Sequence, residues 1–123
     1  MKDDRLYLIH VVECAERVEQ YTAGGKDAFL ESRMVQDATL RNLQTMAEAT
    51  KDLSEETRAR RPDVQWRSIR AFRNTVVHDY RGVDLGTVWQ ITQRDVPELK
   101  TAAEALLRQL NSEADGNDSA SGE

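Results

Sequence analysis

In 123 residues the sequence has one cysteine, two prolines, six glycines and two histidines. Cys14 by itself forms no internal disulfide and seeds no metal cluster, so a reducing, cytoplasmic setting is the default expectation. So few prolines and glycines exclude an all-β sandwich, which needs many turns. No apolar run approaches the roughly 20 residues of a membrane helix. The opening MKDDRLYLIHVVEC is charged where a secretory leader would be apolar, so neither membrane insertion nor secretion is expected. HExxH, CxxC and paired-histidine patterns are all missing, and TAGGK lacks the spacing of a phosphate loop. What is present is 39% hydrophobic and 32% charged residues, the balance of a globular domain with a modest core.

The net charge of -5 hides a division into three blocks. Residues 1–57 carry -5 and residues 82–123 carry -5. Between them, residues 58–81 carry +5, from Arg58, Arg60, Arg61, Arg67, Arg70, Arg73 and Arg81 against Asp63 and Asp79. An acidic protein can therefore still hold phosphate, because binding needs a local basic patch. The same arginines would equally suit salt bridges to neighbouring helices.

Periodicity predicts helices throughout. Leu8, Val11, Val12, Ala15 and Val18 form one apolar stripe, started by Asp3 or Asp4 and stopped at Gly24 and Gly25. Cys14 lies at the edge of that stripe and reads as core, and His10 as structural. A second helix is expected over residues 27–51. It is apolar on two sides, with Phe29, Leu40, Leu43 and Ala47 on one and Leu30, Met34 and Ala38 on the other. Such a helix is central in a bundle or also meets a partner chain. Residues 54–63 read as a linker with about one helical turn. A third helix is expected from Asp63 or Val64 towards Tyr80, with Gly82 as the stop. Asp84 caps a fourth segment bearing Leu85, Val88 and Trp89. Asp95, Pro97 and Glu98 mark a new helix start, followed by the stripe Leu99, Ala102, Ala103, Leu106, Leu107 and Leu110. The expected architecture is all-α: an antiparallel bundle of about five helices over residues 1–111, then a disordered acidic tail over 112–123.

The third helix, DVQWRSIRAFRNTVVHDYRG, carries the chemistry. At about 100° per residue, Trp66, Ile69, Phe72, Val76 and Val77 share an apolar side, with Arg73 and Tyr80 inside its sector. Arg67, Arg70, Asn74, His78 and Arg81 fall on a polar sector about 80° wide. A histidine titrates near neutrality and can move a proton at a ribose hydroxyl. Guanidinium forks stay charged and grip phosphate oxygens as charge builds on them. Asn74, one turn before His78, is placed to orient its ring. The same residues would also make an ordinary solvated face, with His78 favoured near a helix C-terminus. Arg73 and His78 are five apart, about 140° on a straight helix. Either the helix breaks before His78, or two chains supply the two groups across a two-fold axis.

The stretch Arg73-Asn74-Thr75-Val76-Val77-His78-Asp79-Tyr80 resembles the signature of HEPN-domain ribonucleases, in the Arg-x4-His-x-Tyr form of the HepT branch. The flanks agree: Trp66 and Arg67 before it, then Gly82-Val83-Asp84 and Val88-Trp89 after it. Phe29, residues 37–43 and Glu48-Ala49 are similar to that family's second helix, although Thr45-Met46-Ala47 stands where the family tends to carry a glycine. The resemblance covers about residues 4–110. It implies a HEPN-like bundle whose protomers form a homodimer through the third helix, with two motifs lining one cleft. It implies metal-independent cleavage of an RNA substrate, with no cofactor. Catalytic His78 would transfer the proton at the 2′-hydroxyl, catalytic Arg73 would stabilise the phosphate, and Asn74 would support both. Arg67, Arg70 and Arg81 would bind RNA phosphates. The resemblance further implies a toxin of a type VII toxin–antitoxin pair, silenced when a minimal nucleotidyltransferase (MNT) antitoxin attaches AMP to Tyr80. Added bulk and negative charge beside an anion-binding cleft would exclude RNA. Two other functions fit the residues. One is a non-catalytic helical module holding a nucleotide or partner, and the other a plain dimerisation scaffold.

Overall fold

The computed structural model of the chain describes residues 3–67, 69 and 84–121, the side chains of 117–121 excepted. Among them there is helix and connecting turn but no strand, and the protein is an all-α helical bundle. Helix α1 spans Asp4–Tyr21. Asp3 caps it, accepting from the Arg5 amide at 3.0 Å. Its predicted stripe is the buried one: Leu8, Val11, Ala15 and Val18 are at most 1% exposed. Cys14 joins them as core, and His10 lies exposed on the outer side rather than in a structural role within the core. The helix ends three residues before Gly24, and Gly25 makes the turn with φ of 97°, a conformation that costs glycine little.

The predicted second helix is two helices. α2 covers Lys26–Glu31 and α3 covers Arg33–Asp52. Ser32 between them is extended, and its hydroxyl accepts from the Val35 amide at 3.2 Å. Gln36 Nε2 donates to the Phe29 and Leu30 carbonyls at 3.0 and 3.1 Å, groups that the end of α2 leaves without helical partners. The apolar phase runs through the break, which is why periodicity alone joins the two pieces. Phe29, Leu40, Leu43 and Ala47 are buried, whereas Leu30 and Met34 on the second side are 40% and 79% exposed.

Helix α4, Glu55–Ala59, is the single helical turn expected of the linker. Ser54 caps it, and Asp4 ties the beginning of α1 to this cap. The Asp4 carboxylate accepts from Ser54 Oγ at 2.6 Å and from Thr57 Oγ1 at 2.5 Å. Helix α5, Leu85–Gln90, starts at Asp84 as predicted, with the carboxylate accepting from the Gly86 and Thr87 amides. Beyond it the expected new start at Asp95 does not occur. Ile91–Asp95 form a π turn in which the Val96 amide reaches the Ile91 carbonyl, and the chain continues directly into α6, Val96–Ser121. Pro97 has no amide to donate, and the widened turn immediately before it accommodates this loss. Helix α6 continues past residue 111 to Ser121, and Glu113 within it pairs with Arg60.

α1 packs against both α3 and α6. Both packings are antiparallel: Asp4 meets Ser54 beyond the end of α3, Arg5 meets Asn111, and Glu19 meets Lys100. Phe29 and Trp89, with ring centres 5.6 Å apart, join α2 to α5 at the side of this core.

The Asp4 clamp gives a stability prediction. Partial burial alone would raise its carboxyl, but the hydroxyls of Ser54 and Thr57 and the Ser54 amide hold it below the usual carboxylate range. A lowered folded value means the contribution is complete above the ordinary range and is lost as pH falls through the folded value. Asp4→Ala should cost about 1 kcal/mol at pH 7, after allowance for solvent screening. The gap from wild type should close as urea unfolding is repeated at successively lower pH.

Candidate active site

The approach to the motif is built by one indole. Trp66 Nε1 donates to the Arg58 and Arg61 carbonyls, both at 3.1 Å, and so fastens the end of α4 and the turn after it to the helical residues around Trp66. Trp66, Arg67 and Ile69 are helical, and the Ile69 amide donates to the Gln65 carbonyl at 3.2 Å. Helical structure thus begins two or three residues after the predicted Asp63 or Val64, because residues 61–64 make a turn closed by the Val64 amide on the Arg61 carbonyl at 3.2 Å. Trp66 and Ile69 face the core, as the wheel predicts, and Arg67 is exposed. Arg70, Arg73, Asn74, His78, Tyr80 and Arg81 lie outside the described residues.

The three arginines of the basic block that precede Trp66 are engaged in different ways. Arg58 Nη1 donates to the Thr50 and Lys51 carbonyls at 3.3 Å and closes the end of α3. Arg61 makes two bonds to Asp63, at 2.9 and 2.8 Å, and this guanidinium holds the Asp63 carboxyl below its ordinary range. Arg60 makes two bonds to Glu113, at 2.7 and 3.1 Å. This last pairing spans 53 residues, and no periodic signal in the sequence could have disclosed it.

Between the 61–69 segment and the π turn lies an open groove of about 810 Å³. Val64, Ile69, Ile91 and Leu99 give it an apolar floor. Among the described residues its charged lining is Arg61 and Arg94 against Asp63, Asp95 and Glu98, one more negative than positive. The groove leaves no sequence signal, because Asp95, Pro97 and Glu98 also spell a helix-capping pattern.

Chemistry outside the basic segment is sparse. Burial pushes the Cys14 thiol up, away from the thiolate that a nucleophile requires. Among the described residues no group of three or more His, Cys, Asp or Glu side chains could hold a metal ion, and no helix is long and apolar enough to cross a membrane.

Comparison with known proteins adds to this geometry. The family model described as "Ribonuclease HepT-like" matches residues 11–106. A Methanocaldococcus jannaschii protein named "Gamma-glutamylcyclotransferase and putative RNase" is 33% identical over 111 residues, which are 89% of this chain and 50% of that protein. The chain therefore spans about half the length of that relative. A "Probable ribonuclease HepT" of Thermococcus cleftensis is 31% identical over 103 residues, 83% of this chain and 94% of the relative. A second M. jannaschii protein, a "Putative RNase", is 29% identical over 106 residues, 85% and 97% of the two chains. No solved structure matches the chain.

Proposed function

Because the chain belongs to the HepT-like ribonuclease family, we propose that it is an endoribonuclease that cuts RNA without a metal and serves as the toxin of a toxin–antitoxin pair. The observation that carries the reading is the run Arg73-Asn74-Thr75-Val76-Val77-His78-Asp79-Tyr80, which falls within the matched residues 11–106.

His78 takes the proton from a ribose 2′-hydroxyl, and the 2′-oxygen attacks the adjacent phosphorus. The bond from phosphorus to the 5′-oxygen breaks, and that oxygen leaves with a proton taken from water. The products are a 2′,3′-cyclic phosphate and a 5′-hydroxyl end. Arg73 neutralises the charge that grows on the non-bridging oxygens, and Asn74 orients the imidazole. Arg67, Arg70 and Arg81 hold neighbouring phosphates. The 140° between Arg73 and His78 on a straight helix supports a cleft shared by two protomers. An MNT-type nucleotidyltransferase silences the site by transferring AMP from ATP to the Tyr80 hydroxyl, with pyrophosphate leaving.

Purified protein should cleave RNA in EDTA and leave cyclic phosphate ends, with protection of 2′-O-methyl RNA. Co-expression with the nucleotidyltransferase should add the mass of one AMP, and Tyr80→Phe should remove that increment. Intact RNA at every protein concentration, or unchanged modification of Tyr80→Phe, would refute the corresponding half of the reading. Sedimentation at micromolar concentration should give a dimer.

A further inference from the structure

We propose that Arg60 is a phosphate-binding residue for RNA, and that Glu113 occupies it in the free protein as a displaceable competitor. The inference rests on the ribonuclease reading for the identity of the ligand. Its own support is the Arg60–Glu113 pair.

Arg60 Nη1 and Nη2 reach the two Glu113 carboxylate oxygens at 2.7 and 3.1 Å. This is the two-bond fork that a guanidinium also makes with a phosphate. Arg58 is committed to the carbonyls at the end of α3, and Arg61 to Asp63 two residues away. Arg60 is held instead by a side chain from a distant stretch of the chain. The Trp66 indole fastens this turn to the helix start that bears exposed Arg67 and leads in sequence into the motif. Arg60 thus extends the basic segment at its N-terminal side, ahead of the arginines read from the wheel.

The competitor lies outside the shared family region. The family match stops at residue 106. Residues 112–123 carry Glu113, Asp115, Asp118 and Glu123 and no basic residue, and Glu113 among them meets Arg60 of the +5 block. Glu113 is half exposed, and an exposed pair of this kind contributes little net free energy. It is strong enough to seat the guanidinium and weak enough for a polyanion to displace it. RNA brings several phosphates at once and releases counterions as it binds. A single carboxylate has no matching gain.

The test uses the full chain and a fluorescent 2′-O-methyl RNA oligonucleotide, which binds but offers no 2′-hydroxyl for attack. Glu113→Gln should tighten binding about two- to fivefold at low salt, the scale of one exposed pair. The gain should vanish at high salt. Arg60→Ala should weaken binding and lower the slope of log affinity against log salt by about 0.7, one phosphate's share on a single strand. In the Arg60→Ala background, Glu113→Gln should change nothing. Arg60→Ala with unaltered affinity and salt slope would overturn the proposal. So would a Glu113→Gln effect that survives without Arg60, or a chain that binds no RNA in any variant. Cleavage of ordinary RNA, assayed in parallel, reports separately on the ribonuclease reading.

Discussion

Replacing His78 by alanine is expected to slow RNA cleavage about 10²- to 10⁴-fold at neutral pH, the range of a lost general acid–base group. The circular dichroism spectrum and unfolding midpoint should stay near wild type. Arg73→Ala should fall about 10²- to 10³-fold, the range seen when one charge-stabilising donor is removed. Arg73→Lys should recover only part of this, because an ammonium keeps the charge but loses the planar fork. The double variant should be little worse than the poorer single one, since the two groups act on one transition state. Gel-resolved cleavage in EDTA under single-turnover conditions measures all four. Activity retained by both single variants would remove these residues from the chemistry.

The largest stability effect is expected at Phe29. Its ring is 1% exposed and lies 5.6 Å from the Trp89 ring, where it joins α2 to α5. Phe29→Ala should cost about 3–5 kcal/mol, from lost transfer free energy and the cavity left behind. Against a typical total of about 5–15 kcal/mol, that is enough to leave a visible unfolded fraction at 37 °C. Phe29→Leu retains most of the volume and should cost under about 1.5 kcal/mol. Urea unfolding followed by tryptophan fluorescence would separate the two, because Trp89 itself reports on the contact.

The buried stripes of α1 and α6 were legible because a half-exposed helix must repeat its apolar residues every three or four positions. The caps at Asp3 and Asp84 were legible because a short carboxylate before an apolar run has one common use. The break at Ser32 was hidden by apolar spacing that keeps its phase from Phe29 to Leu40. Its clues were Ser32, a good cap in mid-pattern, and Gln36, which satisfies the abandoned carbonyls. The π turn was hidden because Asp95, Pro97 and Glu98 spell a helix start as well as they suit a widened turn. Of the site, the motif was legible as a pattern of residue types, and Arg67 has its predicted exposure. Nothing in the sequence sets Arg60 apart from the other arginines of its block, since its pairing with Glu113 depends on where α6 lies and not on any local rule.

The widened turn at Ile91–Asp95 also bears on how chains of this fold differ in length. A π turn absorbs one surplus residue without rotating the helix beyond it. Deleting one residue there would close the turn, with a kink at Pro97 that the widened turn now relieves, and leave the Leu99 and Leu106 side chains aimed inward. The same deletion just after Pro97 would swing everything beyond it by about 100° and present Leu106 to water. Single-residue gains and losses along this rod therefore have a natural home in one turn, where length can drift while the bundle keeps its seams.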